Sequence, residues 1–242
     1  MFWWRDEREV GDWVVDLAFT DSEGGVSRDG YASLNLGAHV GDDPAHVQAN
    51  RAALAQALEV PTGRLHFMAQ VHGADVAVVP APTPPTADGM LTDSFGEALV
   101  VLVADCTPVL LYDTERPLVA AVHAGRPGMV AGVVPRIVEE LRRRGSTSLR
   151  AVVGPSVCAR CYEVPEQMRA DAAAANPAAY AVSWTGTPAI DVASGVVAQL
   201  DSLGVPIEWI GGCTREQPRL FSHRRDHDAG RFAGIVSMRK KG

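Results

Sequence analysis

The sequence predicts a fold of mixed α and β structure, with strands and helices interleaved along the whole chain. Three observations predict it. Runs rich in Val and Leu at residues 98–103, 109–112 and 118–122 are too short for ordinary helices and read as buried strands. Residues 127–144 instead carry Val130, Val133, Val134, Ile137, Val138 and Leu141 at helical spacing, with a basic end that suits a helix C-terminus. Neither kind of segment is gathered into one half of the chain, and the sequence has no internal repeat and no low-complexity tract.

The elements follow in order. Residues 13–20 alternate apolar and polar and read as a strand, followed by a turn-rich loop over 21–30 and a polar, glycine-bordered segment over 34–43. Asp43-Pro44 opens a helix as an acidic cap with Pro in the first turn, and that helix ends near Val60-Pro61. Residues 66–71 and 74–79 form two strands or one bent strand around His72-Gly73. The proline-rich 80–86 reads as a surface loop, and Ala87-Asp88-Gly89-Met90 as a turn into the core strands. Pro108 is expected to stop regular pairing after the first core strand. Beyond residue 144 come a strand at 149–153, an alanine-rich helix at 166–175 closed by Pro177, and a helix at 191–203 between Asp191 as cap and Gly204 as stop. A short strand at 207–210 and a basic loop leading into a last apolar strand complete the chain.

With 242 residues the chain is long enough for a full core, and one domain over 1–242 is expected. The apolar fraction of 47% and charged fraction of 21% are those of a soluble globular protein. No apolar run approaches the roughly 20 residues that span a bilayer, and the opening MFWWRDEREV turns charged too early for a secretory leader. A net charge of −7 argues against bulk nucleic-acid binding. Four cysteines, Cys106, Cys158, Cys161 and Cys213, do not make a disulfide scaffold at this length, so a reducing cytoplasm is the expected setting.

His72, Cys106 and His123 carry the chemistry. Each follows an apolar stretch, and His72 and His123 stand just before small residues that let a ligand approach the backbone. Imidazole nitrogen and thiolate sulfur are zinc ligands, and three protein ligands leave a fourth position for water, the pattern of catalytic rather than structural zinc. Two other readings stand beside this one: a metal-free pair with Cys106 as nucleophile and His123 as base, and ordinary core or loop residues. Cys158 and Cys161 form a C-x-x-C with no second pair to complete a four-thiolate site, and read as structural; Cys213 reads as a small buried residue. Arg224, Arg225 and Arg231 around Asp226 and Asp228 are either a surface ion-pair loop or an anion clamp. Asn35 and His39 lie in a loop where a ligand could approach the backbone.

The segments NLGAHVGDDPAHVQANR, QVHGADV, ADGMLTD, VLVADCTPVLLYD, VAAVHAGRPGM, GPSVCARCYEV and FSHRRDHDAGRFAGIV occur here in this order. In them the chain resembles the bacterial laccase-domain family, also called polyphenol oxidase or YfiH-type, over about residues 14–236. The resemblance implies an α+β fold: a mixed β-sandwich flanked by helices in four layers, α-β-β-α, shared with bacterial deamidase toxins that use a Cys–His pair. It implies zinc on His72, Cys106 and His123. Two departures from the family pattern touch the substrate side. Ser222-His223 precedes Arg224-Arg225-Asp226, with His227 where Gly is common, and Ser22-Glu23 stands where a basic residue is frequent.

The resemblance orders the functional expectations. First stands a zinc-dependent purine nucleoside enzyme, with phosphorolysis of adenosine, inosine and methylthioadenosine and deamination of adenosine. In it Asp105 or a nearby acid handles protons in the deamination, and Asn35, His39, Arg225 and Arg231 bind substrate or phosphate. Second is an amide hydrolase that edits the cell-wall precursor UDP-muramyl-serine. A copper laccase ranks below both, because a multicopper enzyme needs a trinuclear cluster with about eight histidines beyond its Cys–His site, and this chain has seven histidines in all. A non-enzymatic zinc module, with Cys213 closing the site as fourth ligand, ranks last.

Overall fold

Residues 98–103 have no polar side chain because the strand they form is covered on both faces. The computed structural model describes residues 1–241. In chain order the elements are β1 (Phe2–Val10), β2 (Trp13–Thr20), α1 (Pro44–Ala57), β3 (Leu65–Phe67), β4 (Val76–Val78), β5 (Gly89–Thr92), β6 (Ala98–Val103), β7 (Thr107–Asp113), β8 (Val119–Ala124), α2 (Arg126–Ala131), α3 (Val133–Arg143), β9 (Leu149–Val153), α4 (Glu166–Ala175), β10 (Tyr180–Val182), β11 (Pro188–Ile190), α5 (Val192–Ser202), β12 (Ile207–Trp209), α6 (His223–Asp226) and β13 (Phe232–Lys240). One sheet has the order β1-β2-β13-β6-β3 and the other β12-β9-β7-β8-β5-β4, while β10 and β11 form a separate hairpin.

Alternate residues of β6 serve two cores. Leu99, Val101 and Val103 face the second sheet, where Leu110, Tyr112, Val119 and Ala121 meet them. Ala98, Val100 and Leu102 face outward, under Leu54 and Ala55 of α1. The second sheet repeats the scheme: Val109, Leu111, Ala120 and Val122 pack against Ile137, Val138 and Leu141 of α3 and Val196 and Leu200 of α5. Strands buried on both faces have to be largely apolar, and each Val, Leu or Ile among these side chains contributes about 1.5–3 kcal/mol when fully buried. The result is four layers, α-β-β-α, as the resemblance implied.

Helix starts and stops follow the sequence closely. Asp43 accepts from the Ala45 amide at 2.8 Å and Asp191 from the Ser194 amide at 2.9 Å, satisfying donors that each first turn leaves free.

Several expectations need correction. The single helix over 127–144 is two, because Gly132 sits at φ +82° and breaks the run into α2 and α3. Pro108 does not stop the pairing; it lies inside β7 opposite His123, and it is tolerated because the β9 ladder begins only at Val109. The alternatives around His72 resolve as two strands in different sheets, β3 in the first and β4 in the second. The charged N-terminus is the edge strand β1, with Arg5, Glu7 and Glu9 exposed, as unpaired sheet edges often are. The β10–β11 hairpin was not expected from its three-residue strands. Among the described residues no helix is long and apolar enough to cross a membrane.

Candidate active site

All the candidate residues come from one end of the sandwich. The strand registers place the ends of β2, β3, β6, β8, β9 and β12 and the starts of β4, β5, β7 and β13 there. His72 lies between β3 and β4, and Asp105 and Cys106 lie between β6 and β7, so both connections cross from one sheet to the other. His123 is the penultimate residue of β8. The tails of β9 and β12 and the approach to β13 bring in Tyr162, Thr214, Arg224 and Arg231.

The His72, Cys106 and His123 donor atoms lie within 4.8 Å of one another. Cys106 Sγ is 3.8 Å from His72 Nε2, and the two imidazoles meet edge to face with centroids 4.7 Å apart. His123 is buried, Cys106 half-buried and His72 exposed, so the set opens to solvent on one side. His72 has φ +59°, and three amides in this turn, those of Val71, His72 and Gly73, donate to Asp88 at 3.2, 3.0 and 2.7 Å. Asp88 also takes His123 Nδ1 at 2.8 Å, which leaves His123 Nε2 for the Cys106 side. One fully buried carboxylate therefore orients both histidines.

Gly125 forms the floor. A Cβ there would lie 2.7 Å from His72 Cδ2 and 3.0 Å from Cys106 Sγ, so the cluster needs a glycine for room.

The electrostatics couple these groups. Burial alone would push the Cys106 thiol up, but His123 and then His72 outweigh it and bring it down to about 6. Burial opposes the His123 cation, yet Cys106 and Asp88 raise it to about 9. Burial likewise opposes the Asp88 charge, while His123 and the Gly73 amide hold that carboxyl below its usual range. The mutual attraction favours a Cys106 thiolate beside a protonated His123, and a metal ion bound there would take the place of the imidazolium proton.

A cavity of about 470 Å³ opens over the set. Arg126, Arg224, Arg231, His39 and His223 line it, along with Asp105, Gln70, Tyr162 and an apolar share that includes Leu102, Val157 and Val192. His39 is held below its ordinary value by burial first and then by the charges of Arg231, Arg51 and His123. A site this cationic favours an anion.

The structure separates the sequence-derived candidates. His39 and Arg231 line the cavity. Asp105, at φ +91°, also lines it, with its carboxylate accepting from Thr214 Oγ1 and Ser222 Oγ at 2.6 Å each and from the Arg224 amide at 2.7 Å. Arg225 does not line the cavity. Its guanidinium is spent on the carbonyls of Thr214, Gln217 and Leu220 and on Asp226, so it braces the loop before β13. Asn35 is fully buried and does not line the cavity either; its Oδ1 accepts the amides of Gly37 and Arg231. Cys213 is not a fourth ligand of the histidine set, because it lies with Cys158, Cys161 and Glu216.

Sequence reasoning missed Arg126, which directly follows the His123-Ala124-Gly125 segment, and Asp88, which was read only as part of a turn. An acid at a strand entrance beside the two loops that carry candidate donors is the signal that could have found the second.

The fold and site define an α-β-β-α sandwich protein with a two-histidine, one-cysteine donor set at the base of an arginine-lined cavity. The family described as multi-copper polyphenol oxidoreductase laccase matches residues 16–239, and the chain belongs to it. A protein of Streptomyces coelicolor named purine nucleoside phosphorylase is 53% identical over 232 residues, covering 91% of this chain and 94% of that one. A Mycobacterium bovis protein of the same name is 44% identical over 225 residues, 90% of each. Among solved structures, YlmD from Geobacillus stearothermophilus superposes with a TM-score of 0.87 at 30% identity, covering 96% of this chain and 98% of that one.

The family's description implies several coppers, and the residues do not fit them. Among the described residues only one cluster with histidine is placed to hold an ion. His66 is committed to Glu97 at 2.5 Å, His46 lies 3.8 Å from Asp42, and His223 and His227 meet edge to face with centroids 5.8 Å apart. Among the described residues nothing resembles the many-histidine nest of a trinuclear copper site. A single zinc does fit: one thiolate and two imidazoles are its usual donors, and the open side leaves room for a fourth ligand.

Proposed function

We propose that this chain is a zinc-dependent purine nucleoside phosphorylase that also deaminates adenosine. One observation carries the reading: a single cavity joins the His72–Cys106–His123 set to three arginines and His39. That pairing of a metal-type donor set with an anion site suits a reaction between phosphate and a neutral nucleoside. The names of the relatives support it, and a volume of about 470 Å³ suits a ligand of that size.

His72, Cys106 and His123 would hold the zinc, which when bound supplies Lewis-acid charge at the base of the cavity. Asp88 fixes His123 so that Nε2 faces the donor set. Arg126, Arg224 and Arg231 bind and orient phosphate through their forked donors. Tyr162, Val157 and Leu102 offer apolar surface to a purine. In phosphorolysis a phosphate oxygen bonds to ribose C1′ as the C1′–N9 bond breaks, and the electron pair leaves on the purine. In deamination water adds at C6 and ammonia departs. Asp105 takes the proton of the attacking phosphate or water and passes it to the departing purine or to ammonia: it accepts three hydrogen bonds and keeps one of about four acceptor positions free for that proton. Asn35 and Arg225 are positioning residues. Four cysteines without a disulfide support a cytoplasmic setting.

The test is product analysis with zinc-loaded protein. Adenosine, inosine and methylthioadenosine are each supplied with and without phosphate. Free base and the sugar 1-phosphate (ribose 1-phosphate, or 5-methylthioribose 1-phosphate from methylthioadenosine) should appear only with phosphate, inosine should appear from adenosine without it, and Cys106→Ala should abolish both. Failure to consume any of the three nucleosides would overturn the proposal.

A further inference from the structure

Away from the cavity's donor set, a second group of ligating side chains comes together. Cys158 and Cys161 lie on the loop after β9, and Cys213 and Glu216 on the loop after β12. The donor atoms of these four residues all lie within 4.8 Å of one another. Cys161 and Cys213 are buried, Cys158 is half-buried and Glu216 is exposed.

The local backbone explains the convergence. The Cys161 and Tyr162 amides both turn back to the Cys158 carbonyl, at 3.0 and 3.1 Å, so the C-x-x-C forms a tight knuckle with both sulfurs on one side. A short parallel bridge joins the two loops, with the Ser156 amide on the Gly212 carbonyl and the Thr214 amide on the Ser156 carbonyl, each at 3.1 Å. That bridge delivers Cys213 opposite the knuckle, where its Sγ accepts the Cys158 amide at 3.4 Å. Amide-to-sulfur bonds of this kind stabilise a thiolate ligand. The Glu216 amide turns back to Cys213, and its Oε1 lies 3.2 Å from Cys161 Sγ and 3.4 Å from Trp184 Nε1.

We infer that Cys158, Cys161, Cys213 and Glu216 form a second metal site, a structural one, for zinc. The donors are three sulfurs and one carboxylate oxygen, a set that selects a thiophilic divalent ion over magnesium or calcium. Tetrahedral zinc with bonds of about 2.3 Å to sulfur sets its ligands about 3.7 Å apart, so the four donors close on an ion by moving about 1 Å. Four protein ligands leave no open position, the mark of a structural rather than a catalytic zinc. The site belongs where the fold is thin: only Val157, Cys161 and Cys213 form the buried cluster between these loops. The ion would staple together the loop that carries Tyr162 and the loop that carries Thr214, the partner of Asp105.

The inference does not rest on the proposed reaction, and its test leaves that reaction aside. Cys106→Ala removes a donor from the other site. Purified with zinc present, that variant should retain one zinc per chain by elemental analysis. Replacing its metal with cobalt should give intense sulfur-to-cobalt charge transfer together with the visible bands of a tetrahedral ion. Adding Cys161→Ser should abolish both signals. Glu216→Gln in the Cys106→Ala background changes an exposed side chain and should fold; it should weaken zinc binding at least about tenfold in competition with a chelator. A Cys106→Ala protein that is folded by circular dichroism yet binds neither zinc nor cobalt through sulfur would overturn the inference. So would a Cys158–Cys161 disulfide found by mass spectrometry in protein purified under reducing conditions.

Discussion

Asn35 Oδ1 accepts the backbone amide of Arg231 at 2.8 Å, tying together two residues 196 positions apart in the chain. The same oxygen takes the Gly37 amide at 2.9 Å, and Nδ2 donates to Asp42 at 2.9 Å. Replacing Asn35 with Ala strands two amides in a buried setting, which costs about 1–3 kcal/mol for each unsatisfied group. Asn35→Ala should lower the denaturation midpoint and raise the KM for phosphate several-fold, with a smaller change in the KM for nucleoside. Equal change in both would detach Asn35 from the Arg231 side of the cavity.

Asp88 is the shared support of both histidines. Asp88→Asn places an amide NH2 among donors and breaks the tautomer control of His123. Zinc affinity at the His72–Cys106–His123 set should fall about 10- to 100-fold, measured by chelator competition in protein lacking the second thiol cluster. Unchanged affinity would show that the histidines orient themselves.

Gly125→Ala tests the floor of the site. The backbone there, at φ −77°, accepts any residue, so the fold should survive. The new Cβ, 2.7 Å from His72 Cδ2, should displace that ring and empty the cavity's metal position. Far-UV circular dichroism should match wild type while zinc content at this site drops below half. Full metal retention would mean that the loop around His72 yields freely.

In metal-free protein, alkylation of Cys106 should follow its thiolate. The neighbouring imidazoles bring the thiol down to about 6 against the opposing effect of burial. Reactivity with iodoacetamide should therefore rise through about pH 6 and level off below pH 8, where a free thiol is still mostly protonated. In His123→Ala the rise should move to higher pH, because burial then acts with less opposition. A wild-type midpoint at or above 8 would refute the thiolate–imidazolium pairing.

Much of this molecule was readable from its residues. The buried strands were visible because a strand covered on both sides favours Val, Leu and Ala throughout, as in β6. The three residues of the candidate donor set, which the structure brings together, were visible because each follows an apolar run. What escaped depends on contacts across long sequence separations. Asp88 is 35 residues from His123, and nothing local marks it as that ring's partner. Arg225 carries the same charge as Arg224 and Arg231, and only the direction of its side chain, toward three carbonyls, separates brace from ligand. Edge strand β1 was missed because its exposed positions are charged, which erases the apolar signal. Gly132 lies inside an otherwise continuous helical pattern, and periodicity does not register one residue at positive φ.

The chain crosses from one sheet to the other at His72 and again at Asp105-Cys106, on either side of the seam between them. An ion bound at the His72–Cys106–His123 set would be gripped by residues from both crossings and from β8, and would clasp the two halves of the sandwich at their open end. Binding there adds directly to the free energy of unfolding, by about 2.7 kcal/mol at a hundredfold excess over the dissociation constant. Loss of the ion would then loosen that end first, while the far end, closed by the β1–β2 hairpin, keeps its stability. Metal supply would in this way set how long the molecule survives as well as whether it works.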